Sequence, residues 1–190
     1  PDLCEYCTYD AEGAQALFEE WQAEGGSLTE PIPLQFNADA GHEPVLVSPK
    51  PGEVQMFDHL DKADTKPVDR TVSEVSAEDF DALFLPGGVA NPDALRLDDG
   101  AVSLAREILA SGRPVAAICH AAWTLVEADV LSGRRLTSWP SLQTDIRNAG
   151  GEWVDERVVV DGNLITSRNP GDLPAFCSAL VEALEHGAAA

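Results

Sequence analysis

Cys119 and His120 are neighbours, and they follow the apolar run Pro114–Ile118. The thiolate, not the thiol, is the nucleophile, and an adjacent imidazole can take and return the proton. The spacing predicts a strand over 114–118 and a helix opening near His120 and running through Val126. The sulfur would then sit at a helix N-terminus, where unpaired N–H groups and the positive end of the dipole favour an anion. Such surroundings lower a thiol pKa from about 8.5 to roughly 3.5–7.5. A residue squeezed between strand and helix is also held exposed, as in a nucleophile elbow. A free cysteine can equally be a small buried hydrophobe. The place of Cys119, where the strand leaves the core, argues for chemistry. Cys177 shares a helix face with Phe176 and Leu180 and reads as packing.

The second candidate is Pro86-Gly87-Gly88, at the end of the apolar run Asp81–Pro86. Two glycines let the backbone approach a ligand closely and present N–H groups to it. An oxyanion hole needs that geometry. A double glycine is also a common turn, and its weight here comes from lying on a strand end beside that of Cys119.

The elements that must position these residues alternate along the chain. Short strands are expected over 44–48 and 68–72, and buried strands over 81–86 and 114–118. Helical spacing runs from Pro92 to Ser111, stopped by Gly112, and returns over 141–149 and 172–185. Asp161-Gly162 between the strands 152–160 and 163–168 reads as a two-residue hairpin turn. Apolar strands separated by helices imply a parallel sheet covered on both faces. The expected class is α/β: a three-layer α/β/α sandwich, open and doubly wound, mostly parallel, with a C-terminal hairpin. In such sheets chemistry lies beyond the carboxyl ends of the strands, where both candidates fall.

The 190 residues are read as one domain, 1–190. Residues 1–40 fit the scheme poorly, because no apolar strand opens them. Cys4 and Cys7 form a lone C-x-x-C with no second pair or histidine cluster nearby, so no metal site is expected. Thirty-three acidic residues against twelve basic ones give a net charge of −21. Duplex nucleic acid and anionic membranes are excluded as partners, since both would be repelled. A dispersed acidic surface destabilises the compact state through self-repulsion, which salt screens; the expectation is a protein of a salt-loving microbe. With no apolar run long enough to span a bilayer, no leader at residues 1–20 and few cysteines, the expected site of action is the cytoplasm. The chain opens at Pro1 rather than Met.

Several segments together resemble the PfpI intracellular-protease family. They are residues 80–88 (FDALFLPGG), 114–120 (PVAAICH), 137–140 (TSWP), 145–155 (DIRNAGGEWVD) and 158–168 (VVVDGNLITSR). The resemblance covers residues 41–185. Its superfamily also holds the parkinsonism-associated protein deglycase and the class I glutamine amidotransferases. It implies a flavodoxin-like fold, Cys119 as nucleophile, His120 as its partner, and an oxyanion hole from the amides near Gly88 and His120, with Gly87 and Ala121 in the same wall. Ala121 and Ala122 stand where the family often has Gly and Pro. The resemblance further implies that an acid after the Gly-Gly loop, here Asp93, reaches the Cys-His pair of an adjacent subunit, so that the active unit is a homo-oligomer. Asp93 also suits the first turn of a helix after Pro92. Alignment on Leu28–Pro31 places Glu24 where the family's thiol-binding Glu stands, although residues 18–23 do not resemble the family's first strand. An exposed helical Glu fits that position as well.

The family's activities are peptide hydrolysis, removal of glyoxal-type adducts from proteins and hydration of small 2-oxoaldehydes. The expected function is therefore a cysteine enzyme acting on carbonyl or acyl groups, with small carbonyl compounds, glycated proteins or peptides as partners and no cofactor. Glutamine amidotransfer is excluded, since His186 is followed by Gly187 and lacks the H-x-E pattern. The alternative is a non-catalytic sensor in which Cys119 is oxidised. A nucleotide-binding module would need a phosphate loop such as G-x-G-x-x-G, and none occurs.

Overall fold

A computed structural model describes residues 41–58 and 61–186. The order of elements is β1 (Val47–Ser48), β2 (Glu53–Asp58), β3 (Asp61–Pro67), β4 (Arg70–Thr71), β5 (Leu83–Leu85), α1 (Ala90–Leu95), α2 (Asp99–Ala110), β6 (Val115–Ile118), α3 (Ala122–Glu127), β7 (Arg135–Leu136), α4 (Gln143–Asn148), β8 (Glu152–Trp153), β9 (Val158–Asp161), β10 (Leu164–Ser167) and α5 (Leu173–His186). The central sheet runs β5-β6-β10-β9. β6 lies parallel to both β5 and β10, and β9 closes the edge antiparallel to β10. The α/β class and the mostly parallel sheet with its terminal hairpin are thus as expected.

Successive strand residues point to opposite faces, and the core divides accordingly. Val115, Ala117 and Leu164 join Leu104, Ile108, Leu125 and Ile146 from α2, α3 and α4. Ala116, Ile118 and Ile165 join Leu173, Phe176, Leu180 and Val181 from α5. All four residues of β6 are buried. A strand with helices on both faces must be apolar throughout, which explains the unbroken run.

Several elements differ from the periodicity. The single helix expected from Pro92 to Ser111 is two, because Asp98 adopts an extended backbone and its carboxylate caps α2 by accepting from the Ala101 N–H at 2.8 Å. The strand expected over 68–72 shortens to β4, since Thr71 and Glu74 close a capping box on the 3-10 turn Val72–Glu74. The strand expected over 152–160 divides, β8 pairing with β7 and β9 with β10. The hairpin loop is Gly162-Asn163, as Asp161 already pairs with Leu164. Asn163 ties this turn to the sheet: its side-chain N–H groups donate to the Leu109 and Arg113 carbonyls at 2.8 and 2.7 Å, and its carbonyl accepts from Val115. Arg168, at the carboxyl end of β10, grips both oxygens of the buried Asp172 just before α5. Among the described residues, no helix is long and apolar enough to cross a membrane.

Candidate active site

β6 delivers the chain to Cys119, where the backbone turns left-handed, with φ of 63°. For a non-glycine residue this conformation costs about 1–2 kcal/mol and persists only when neighbours enforce it. Three neighbours do so. The Trp139 N–H donates to the Cys119 carbonyl at 3.0 Å. The 3-10 turn Cys119–Ala121 follows at once and leads into α3. Gly87 packs so tightly that a Cβ there would lie 2.8 Å from the Cys119 Cβ and 3.1 Å from the Ile118 carbonyl oxygen. Gly88, with φ of 81°, takes a conformation natural to glycine.

The backbone N–H groups of His120 and Gly88 lie near the sulfur and favour its anion. His120 Nδ1 lies 3.2 Å from the sulfur. Cys119 is half-buried and His120 is 8% exposed. Burial pushes the thiol pKa up; the two amides oppose it without prevailing. The same desolvation pulls the His120 pKa down. Both directions favour the neutral thiol and the neutral imidazole over the ion pair. This corrects the expected lowering of the thiol: desolvation outweighs the amides, and the helix proper starts only at Ala122.

Cys119, His120, Gly87 and Gly88 therefore meet at the ends of β5 and β6, as the sequence indicated. Ala121 packs in the core beneath the turn. Asp93 is exposed in the first turn of α1, and among the described residues no hydrogen bond joins it to His120. Glu24, Cys4 and Cys7 lie outside the described residues. Cys177, on α5, is buried in the core beside Phe176 and Leu180, and His186 is the last residue of α5.

The 139–141 segment adds residues that sequence reasoning gave no role. Trp139, 40% exposed, stacks on His120 at 5.8 Å and 23°. The Ser141 hydroxyl oxygen lies 3.5 Å from His120 Nε2. Trp123 meets His120 edge-on at 5.3 Å and is held by its indole N–H donating to Asp145 at 2.8 Å. No local pattern points to this, since the chain brings the segment back from some twenty residues downstream of the cysteine.

This arrangement suits attack of sulfur on an electrophilic carbon, with the proton leaving to Nδ1 and backbone N–H groups close by to receive a developing oxyanion. Comparison with known proteins points the same way. Residues 22–183 match the model of the DJ-1/PfpI family. A deglycase of Pyrococcus horikoshii, PH1704, is 51% identical over 118 residues, spanning 62% of this chain and 70% of the relative. Protein/nucleic acid deglycase 2 of Escherichia coli is 44% identical over 138 residues, spanning 72% and 78%. Among solved structures, a two-domain protein of Anabaena variabilis with DJ-1/ThiJ/PfpI-like and ferritin-like domains superposes with a TM-score of 0.76 at 36% identity, over 82% of this chain and 44% of that one.

Proposed function

The chain belongs to the DJ-1/PfpI family, and from that premise we propose that it is a cysteine-dependent enzyme acting on carbonyl or acyl carbon, with small 2-oxoaldehydes and glycated protein groups as substrates. The observation that carries this reading is the 3.2 Å approach of His120 Nδ1 to the Cys119 sulfur at a left-handed strand end. In the first step the S–H bond breaks, its proton passes to Nδ1, and sulfur bonds to the carbonyl carbon. The carbonyl π pair moves to oxygen, which the Gly88 and His120 amides face. Proton return gives a hemithioacetal from an aldehyde. An acyl substrate instead expels its amine, which takes the proton, and water then cleaves the thioester. Peptides could use the same site; the relatives named deglycases favour repair of carbonyl adducts over general proteolysis.

Asp93 is assigned to the site of a neighbouring copy, which makes the working unit a homo-oligomer in the cytoplasm. Its exposure on α1 and its lack of an in-chain link to His120 support that assignment. Glu24 is the candidate second partner of the thiol.

The test is methylglyoxal consumption, together with release of free amine from a glycated lysine derivative. Cys119→Ala should reduce both to the uncatalysed level. Retained turnover would refute the assignment.

A further inference from the structure

His120 has a neighbour on every side. Nδ1 faces the Cys119 sulfur at 3.2 Å, and Nε2 faces the Ser141 hydroxyl at 3.5 Å. Trp139 lies nearly parallel over the ring, and Trp123 meets it edge-on. Among the described residues, no carboxylate hydrogen-bonds this imidazole. Among the described residues of the chain, this hydroxyl is the polar group at the outer nitrogen.

A base that accepts a proton at Nδ1 must carry its own proton on Nε2. Neutral histidine has two tautomers, and the partner of one nitrogen decides which is present. A serine hydroxyl has lone pairs to accept from Nε2–H. Building on the function proposed above, we propose that Ser141 is a positioning residue whose hydroxyl accepts from Nε2–H and thereby turns the lone pair of Nδ1 toward the Cys119 thiol. When the thiol proton moves to Nδ1, the imidazolium keeps both N–H groups paired, one with the thiolate and one with Ser141. The proton then returns from Nδ1 to the substrate oxygen or leaving amine, restoring the starting tautomer. A separation of 3.5 Å is long for a formed bond, and such contacts in empty sites tighten when substrate binds.

The same three-residue stretch holds both members of the pair. Trp139 fixes the backbone of the nucleophile through the Cys119 carbonyl, and Ser141, two residues on, orients the base. Nucleophile, base and orienting group then belong to one chain.

The experiment is 15N NMR of His120 in the full chain, with kcat/KM measured in parallel on Ser141→Ala, Ser141→Thr and Asp93→Asn. The wild type should show the Nε2–H tautomer. Ser141→Ala should mix the tautomers and lower kcat/KM roughly fivefold, the worth of one net hydrogen bond, chiefly through kcat. Ser141→Thr should restore both, and Asp93→Asn should leave the tautomer unchanged. A Nε2–H tautomer that survives in Ser141→Ala overturns the proposal, whatever the rate does. So does a tautomer that shifts in Asp93→Asn instead. The NMR signal needs no turnover, so it stands apart from the Cys119→Ala test of the activity itself.

Discussion

Gly87 and Cys119 are in such close contact that the two positions behave as one unit: the nearest atom to a Cβ built on Gly87 is the Cys119 Cβ, at 2.8 Å. The next is the Ile118 carbonyl oxygen, which is backbone and cannot swing away. Gly87→Ala should therefore displace the nucleophile itself. We expect a stability loss of about 1–3 kcal/mol, the usual cost of overpacking, with activity falling by at least tenfold. Chemical denaturation and turnover measure the two effects separately. Wild-type activity in Gly87→Ala would show that the cysteine is not held by this contact.

Burial raises the Cys119 pKa and lowers that of His120. Alkylation by iodoacetamide should accordingly keep accelerating above the pH at which an ordinary thiol, near 8.5, has levelled off. The acid limb of turnover should lie below the ordinary histidine value of about 6.5, because His120 gains its proton only at lower pH. An alkylation rate that plateaus below neutrality would mean a preformed ion pair.

Asn163 supplies both side-chain donors that fasten the hairpin turn to the Leu109 and Arg113 carbonyls. Asn163→Ala leaves the Arg113 carbonyl without this donor, while the Leu109 carbonyl keeps the Gly112 N–H. The expected loss is about 1–3 kcal/mol, the usual cost of one polar group left unpaired. Urea unfolding should show it as a lower midpoint with an unchanged slope. A loss under about 0.5 kcal/mol, as at an ordinary surface site, would place the anchor elsewhere.

A net charge of −21 should make stability depend on ionic strength. The thermal midpoint is expected to climb between about 0.1 M and about 2 M KCl as the screening length contracts toward 3 Å. A flat response would remove the argument for adaptation to salt.

The parts of the fold most legible in the sequence were those under the strongest constraint. β6 must be apolar at every position because helices cover both its faces, and Cys119-His120 stands out at its end. Gly112, with φ of 84°, was a visible stop for α2. The break between α1 and α2 was hidden because apolar periodicity continues past Asp98, whose cap is a local hydrogen bond. The β2–β3 hairpin was hidden for the opposite reason. Residues 61–67 (DKADTKP) carry no apolar stripe, so no period marks them as a strand. Trp139 and Ser141 escaped notice as site residues because their link to His120 is made in space, and no local pattern records it. The direction of the thiol's pKa depends on how deeply the turn is sunk, and the order of residues does not report depth.

The two indoles that flank the imidazole give the site an optical gauge of its own. A protonated imidazole quenches neighbouring tryptophan emission, and Trp139 and Trp123 both lie within 6 Å of His120. Any event that charges the ring, or wedges a molecule between it and Trp139, should dim or brighten native fluorescence. Occupancy could then be followed in real time without attaching a label.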